Sequence, residues 1–265
     1  MNNRKYTWIK QRLDVRDRNI KHLAQIRKFS DAPLPSKVSN RKYCPAVFDQ
    51  GQLGSCTGNA WSGLLGYNEC LNGKGGKLYR DRSRLFIYYN ERVIENTVDV
   101  DSGAELRDGV RAIANLGVCN EGEWKYNIEQ FTVKPSQNCY INAAKNKIHS
   151  YYSLDGSTPQ ITLHNLKSAL ANKHCFVFGF SVYDSFESQE MANTGILKMP
   201  SENENLLGGH AVMAIGYDDF DSTFLIRNSW GTGWGLSGNL SGYFKMPYEY
   251  ISNPNLASDF WTAIN

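Results

Sequence analysis

The chain has 265 residues, 41% hydrophobic, 12% aromatic and 21% charged, an ordinary globular composition with enough length for one large domain or two lobes around a sizeable core. No apolar run is long enough to span a bilayer as a helix, and the opening "MNNRKYTWIKQRLDVRDRNIKHL", whose Met reads as a native start, lacks the apolar centre of a secretory leader. The net charge of +3 divides into +9 on residues 1–42 and −6 on the remainder, so a basic arm is attached to a mildly acidic body.

In chain order, the arm interleaves its charges with Trp8, Ile9, Leu13, Val15, Ile20, Leu23 and Ile26. That mixture favours docking of the arm on its own acidic body over a frayed terminus or a site for an anionic ligand. "DAPLPSKVSN" (31–40) holds two prolines and reads as an extended entry segment. Over 56–71, Ala60, Leu64, Tyr67 and Leu71 recur at steps of three and four and predict a helix, with glycines that permit close packing. Helices follow over 83–96 and over 104–117, the latter with Leu106, Val110, Ile113 and Ala114 on one face and Gly117 as its stop. Another is expected over 161–173, capped by Thr158 ahead of Pro159. The Phe- and Val-rich run 175–183 predicts a strand, and 210–218 and 223–230 predict two more. Helices crowd the first half and strands the second, which argues for an α+β fold in two lobes.

Six cysteines, Cys44, Cys56, Cys70, Cys119, Cys139 and Cys175, form neither a C-x-x-C pair nor a Cys/His cluster with zinc spacing. Without an export signal they are expected to be reduced thiols of an intracellular protein. One of them stands apart. "QGQLGSCTGNAW" (50–61) runs into the first predicted helix with Cys56 at its start. Such a cysteine is either a packed thiol beside a turn or a nucleophile whose thiolate the helix N-terminus favours.

A nucleophile needs a base. Of five histidines, His22 lies in the arm, and His149, His164 and His174 lie in polar or helical surroundings. His210 instead follows Gly208 and Gly209 at the start of an apolar strand, where a substrate backbone can come close. If the two following strands pair as a hairpin about "DDFDS", His210 and Asn228 fall opposite one another. The Asn228 amide oxygen then fixes one imidazole nitrogen while the other faces the thiol, a Cys-His-Asn variant of the nucleophilic triad. Trp230 would cover that bond from water. Candidate oxyanion donors are the Cys56 backbone N–H and the side-chain amide of Gln50 or Gln52.

These residues resemble the papain-like cysteine proteases, the cathepsin family. The anchors are Q-G-x-x-G-S-C at 50–56, G-G-H-A-V at 208–212, N-S-W-G-x-x-W-G at 228–235 and G-Y-F at 242–244. The resemblance implies a peptidase domain over 34–265, preceded by a prosegment-like arm over 1–33. It implies a helical left lobe carrying Cys56, an antiparallel β-rich right lobe carrying His210 and Asn228, and a cleft between them. By the same resemblance Cys56 is nucleophile, His210 base, Asn228 its orienter and Gln50, not Gln52, the oxyanion donor, with Gly103, Gly209 and Trp230 along the substrate. The implied activity is that of a cysteine endopeptidase acting on peptides or proteins through an acyl-thioester, with no metal or organic cofactor. An exopeptidase of the same fold and a non-catalytic binding protein on a protease scaffold are the alternatives; a transglutaminase-type enzyme would be expected to have Asp where Asn228 stands. Leu53 replaces a cysteine of secreted members, Thr57 replaces a tryptophan, and "DSGA" (101–104) matches the glycine stretch only at Gly103. The wording of "GQLGSCTGNA" is closer to bacterial and viral relatives than to lysosomal ones. The arm is short for an inhibitory prosegment, and the expectation is that it lies over the cleft until cleavage or an anionic ligand displaces it.

Overall fold

Fourteen of the sixteen residues of helix α1 (Cys56–Leu71) are buried. A helix enclosed on every side needs small residues where its neighbours press. Gly58 lies against the Arg84 carbonyl and Tyr88 at the start of α2 (Arg84–Glu95), and Gly63 lies against the Arg227 guanidinium on the opposite side. Helix α1 is therefore the post between two halves, and a β-carbon at either glycine would push one half away.

The structure is a computed structural model that describes residues 4–20, 33–73 and 79–264; His22, Leu23 and Ile26 of the arm lie outside the described residues. On the helical side, Ser83 caps α2 by accepting from the Phe86 N–H at 3.1 Å. Helix α3 (Leu106–Leu116) turns Leu106, Val110 and Ile113 inward as its periodicity predicts, and the Trp61 indole N–H ties α1 to it through the Leu106 carbonyl at 3.0 Å. A short α4 (Gln137–Ala143) closes this lobe.

The other lobe is built on strands β1 (Lys37–Ser39), β2 (Ser150–Ser153), β3 (Phe176–Tyr183), β4 (Leu206–Asp218), β5 (Thr223–Arg227), β6 (Tyr243–Pro247) and β7 (Ala257–Ile264). They form one antiparallel sheet in the order β2-β7-β3-β4-β5-β6, with β1 on β4. Helix α5 (Pro159–Ala171) starts where expected, with the Thr158 hydroxyl accepting from the Ile161 N–H at 3.2 Å. Helices α6 (Gln189–Thr194) and α7 (Tyr248–Ser252) are short. Phe176, Phe178 and Phe180 alternate onto one face of β3 and pack with Phe224, Phe244 and Phe260 as the sheet's core. The result is the two-lobe α+β fold.

Two expectations need correction. Strand β4 begins at Leu206, so His210 lies inside the strand opposite Phe180 of β3, not at its start. The hairpin register also differs. Met213 pairs with Arg227 and Ala214 with Ile226, and the pairing shifts again at Gly216, a bulge. Continued outward, this register sets Asn228 opposite Val212. His210 and Asn228 are therefore diagonal neighbours on one face, and β5 ends at Arg227, which frees the Asn228 side chain to reach back.

The arm runs along the body. Thr7 bridges to Gly209 and Trp8 to Ala104 in parallel pairing, one on each lobe. Further on, the Gln11 N–H donates to Asp259 at 2.9 Å, and Asn19 bridges to Ser153 of β2. Ile20 is buried.

Candidate active site

Cys56, His210, Asn228 and Gln50 are brought to one place, and all four are buried. Cys56 opens α1, with Ser55 before it. The Ser55 hydroxyl is paired with the Tyr126 hydroxyl at 2.5 Å, and Tyr126 also donates to the Gln50 carbonyl at 2.9 Å. That braces the glycine loop against the helix. The Cys56 sulfur lies against the backbone N–H of Ala211, the residue after His210.

His210 Nε2 is 2.8 Å from Asn228 Oδ1. The Ser229 N–H also donates to that oxygen at 2.8 Å, and the Asn228 backbone N–H donates to the Gly242 carbonyl at 3.1 Å, so the amide oxygen accepts on two sides while the backbone beneath it is anchored. With Nε2 as the donor, Nδ1 carries a lone pair, and it has no hydrogen-bond partner among the described residues. The Trp230 ring covers the imidazole at 5.2 Å between centroids and 32° between planes. Phe180 and Phe186 enclose it further.

Gln50 is clamped. Its Nε2 donates to the Leu53 carbonyl at 3.0 Å and its Oε1 accepts from the Ser229 hydroxyl at 2.6 Å. The Ser229 contact escaped sequence reasoning, although Ser229 stands inside the N-S-W run. Gln52 is exposed and lines a separate hollow with Arg4 and Lys5. Thr57 donates to the buried Glu91 carboxyl at 2.6 Å, another unforeseen contact at the first turn of α1. Burial raises the Glu91 pKa well above the usual carboxylate range.

The charge state differs from the sequence expectation of a thiolate. Burial pushes the Cys56 thiol up to about 12, against a weaker opposing effect of the Ala211 N–H. Burial likewise pushes His210 down to about 4, although its bond to Asn228 works the other way. A helix N-terminus supplies about 0.3–1 kcal/mol to an anion, whereas each pKa unit is worth about 1.4 kcal/mol, so burial wins. With the arm in this position the thiol and the imidazole are both neutral at pH 7.

The arm lies beside the imidazole and over the glycines that flank the site. The Trp8 N–H donates to the Gly209 carbonyl at 2.9 Å, and the Ile9 N–H donates to Ala104 at 3.2 Å. The Thr7 hydroxyl donates to the Gly54 carbonyl at 2.8 Å. Gly103 has φ +75 and lies flat under the Thr7 carbonyl, in a space no β-carbon could share. Its N–H is not turned to the arm but donates to the Tyr88 hydroxyl at 3.1 Å. Lys5 pairs with Asp101 at 2.6 Å, and Tyr6 donates to Glu187 at 2.5 Å while standing edge-on to the imidazole. Among the described residues no group of three or more His, Cys, Asp or Glu side chains could hold a metal ion.

The profile of the papain family of cysteine proteases matches residues 34–263. An uncharacterised peptidase C1-like protein of Acanthamoeba polyphaga mimivirus is 44% identical over 216 residues, which cover 80% of this chain and 68% of that protein. Digestive cysteine proteinase 1 of Homarus americanus is 28% identical over 225 residues, 80% of this chain and 61% of that protein. Among solved structures, xylellain, a cysteine protease from Xylella fastidiosa, superposes with a TM-score of 0.86 and 38% identity over 100% of this chain and 97% of its own. The digestive procathepsin L2 proteinase of Tenebrio molitor shares the fold at a TM-score of 0.74 and 21% identity, covering 100% of this chain and 79% of its own.

Proposed function

Since this chain belongs to the papain family of cysteine proteases, we propose that it is an endopeptidase held closed by its own N-terminal arm. Cys56 is the nucleophile. His210 Nδ1 takes the thiol proton, and the sulfur attacks the substrate carbonyl carbon. The oxygen that gains charge accepts from the Cys56 N–H and the Gln50 side-chain amide. When the tetrahedral adduct collapses, the C–N bond breaks, the imidazolium gives its proton to the departing amine, and an acyl-thioester remains on Cys56. Water then gives a proton to His210 and attacks the thioester, releasing the acid and restoring the thiol. Asn228 is a positioning residue: its amide oxygen holds the Nε2 proton and so keeps Nδ1 as the base.

The observation that carries this reading is the path of the arm. One continuous segment enters beside Asp49 and Trp230 at Arg4, passes Gly54 and Gly209, and leaves at Lys10, whose ammonium donates to the Pro254 carbonyl at 2.9 Å. A cleft that a chain enters at one end and leaves at the other accepts the interior of a polypeptide, which favours an endopeptidase. A second feature supports a reversible block. Arg4 and Lys5 are held by carboxylates, and an anionic ligand would compete for them.

The test compares the full-length protein with its Lys5→Ala/Trp8→Ala variant on an unfolded protein substrate, with the products mapped by mass spectrometry. Internal cuts, made much faster by the variant, are expected. Trimming from one terminus alone would overturn the endopeptidase reading, and equal rates would overturn the block by the arm. Failure of an epoxide thiol probe to label Cys56 in the variant would overturn the assignment of the nucleophile.

A further inference from the structure

At the end of the cleft where the arm enters, Arg4 is nearly enclosed: its side chain is 12% exposed. The guanidinium lies over the face of Trp230, 4.6 Å from the ring centroid, with Asp49 at 3.5 Å. Its Nη1 is buried and makes no hydrogen bond among the described residues. Two halves of a cation site are thus in place, an aromatic face and a carboxylate.

The site does not depend on the arm for its shape. Asp49 and Trp230 bridge to each other through the backbone, with the Gln50 N–H on Ser229 at 2.9 Å and the Gly231 N–H on Phe48 at 2.8 Å. The Asp49 carboxylate also accepts from the Gly51 N–H at 2.9 Å, which fixes its direction. Glu187 also lines this hollow, a cavity of about 650 Å³ that Arg4 leaves open and that Gln189 and Trp234 border as well. A second carboxylate, two tryptophans and space beyond the occupant describe a groove for a longer cationic chain.

The chemistry of the site says which half of a substrate would lie there. His210 gives its proton to the departing amine, so the leaving half of the peptide passes beside the imidazole. Trp230 covers that imidazole. The geometry points to a guanidinium subsite formed by Trp230 and Asp49, with Glu187 beyond, that selects substrates carrying arginine on the leaving side of the cut bond. Arg4 occupies it in the closed form as an internal stand-in. The inference rests on the peptidase reading and adds the substrate class to it.

The experiment uses the full-length chain with Arg4→Ala and Trp8→Ala, which vacates the subsite and loosens the arm. Internally quenched peptides share one sequence and differ by Arg, Ala or Glu at each of the first three positions after the cut, which is verified by mass spectrometry. At one of these positions kcat/KM for Arg is expected to exceed that for Ala by about tenfold, with Glu lower still, the range that a desolvated cation–π contact and one carboxylate supply. High salt, and Asp49→Asn added to the same chain, each pull the Arg-to-Ala ratio towards one. Cleavage of all three peptides at equal rates, at every position, overturns the subsite and leaves the peptidase reading standing. Absence of cleavage of any peptide takes both down. The salt series and the Glu peptides need no change at Asp49, so the result survives a variant that folds poorly.

Discussion

Trp8 of the arm lies across Gly179 of β3: the indole carbons occupy the space that a β-carbon on Gly179 would fill, and among the described residues no other atom comes closer to that point. Gly209 meets the same ring from β4. The ring is thus fitted to two residues without side chains, and Gly179 has no left-handed φ, so the Trp8 indole is what an alanine there would meet first.

That relationship predicts a compensating pair. Gly179→Ala in the full chain should expel the indole and expose Cys56, raising its rate of alkylation by a thiol probe about 10–100-fold, the equivalent of the 1–3 kcal/mol cost of overpacking. Trp8→Ala should do the same. In the double variant the second change should add little, because the clash and the ring are removed together. Additive effects would show that Gly179 acts elsewhere.

The arm is anchored beyond Trp8. Arg107 forks onto Asp17 at 2.6 Å and donates to the Arg12 carbonyl at 2.7 Å, and Arg111 reaches Asp14 at 3.2 Å. Arg107→Ala should cost the docked arm about 1–3 kcal/mol, since the Arg107 side chain is only 6% exposed. Limited proteolysis should then cut within residues 4–20 sooner than in the unaltered chain. An unchanged cutting pattern would remove this anchor from the account.

Asn228→Ala should leave the His210 Nε2–H without its acceptor in a buried place. A loss of about ten- to a hundredfold in kcat is expected, and Asn228→Asp should restore part of it, because a carboxylate oxygen also accepts. The diagnostic readout is the imidazole nitrogen signal by NMR, which should report a mixture of tautomers in the alanine variant and one tautomer in the unaltered protein.

Acid should favour the open form through His210. Its pKa in the closed form is pushed down to about 4 from an ordinary 6.5. Above about 6.5 both forms hold a neutral ring and the group contributes no difference. As the pH falls from 6.5 to 4, the open or unfolded chain takes up a proton that the closed form refuses, so the closed form loses up to about 3 kcal/mol over that window and no more below it. Asp259, pushed up to about 7 by burial beside Gln11, has the opposite sign. The His210 share is therefore isolated by comparing unfolding of the unaltered chain and His210→Gln at each pH. Their stability difference should shift by this amount between pH 7 and 4, and a constant difference would contradict it.

Much of this molecule was legible in one dimension because its signals are local. A cysteine at a helix start after a glycine loop, a histidine after two glycines and an N-S-W-G run are short motifs, and the periodicity of Leu106, Val110 and Ile113 is a property of one helix. The pairing of His210 with Asn228 was foreseen, but by a register two residues away from the one observed. A hairpin's register depends on its turn and on the bulge at Gly216, and neither leaves a mark that periodicity can read.

What residues alone determined was the set of reacting groups and the order of the elements that carry them, since side-chain chemistry and hydrophobic spacing are written along the chain. What only the tertiary structure decided was their state. Cys56 and His210 are neutral because burial outweighs the helix N-terminus, Gln50 is clamped by Ser229 across 179 residues of chain, and Arg4 meets Asp49 and Trp230 at one end of the cleft. Desolvation and ion pairing act through space and fall off within a few ångströms, so they follow the distances that folding creates and not the separations that the sequence prints.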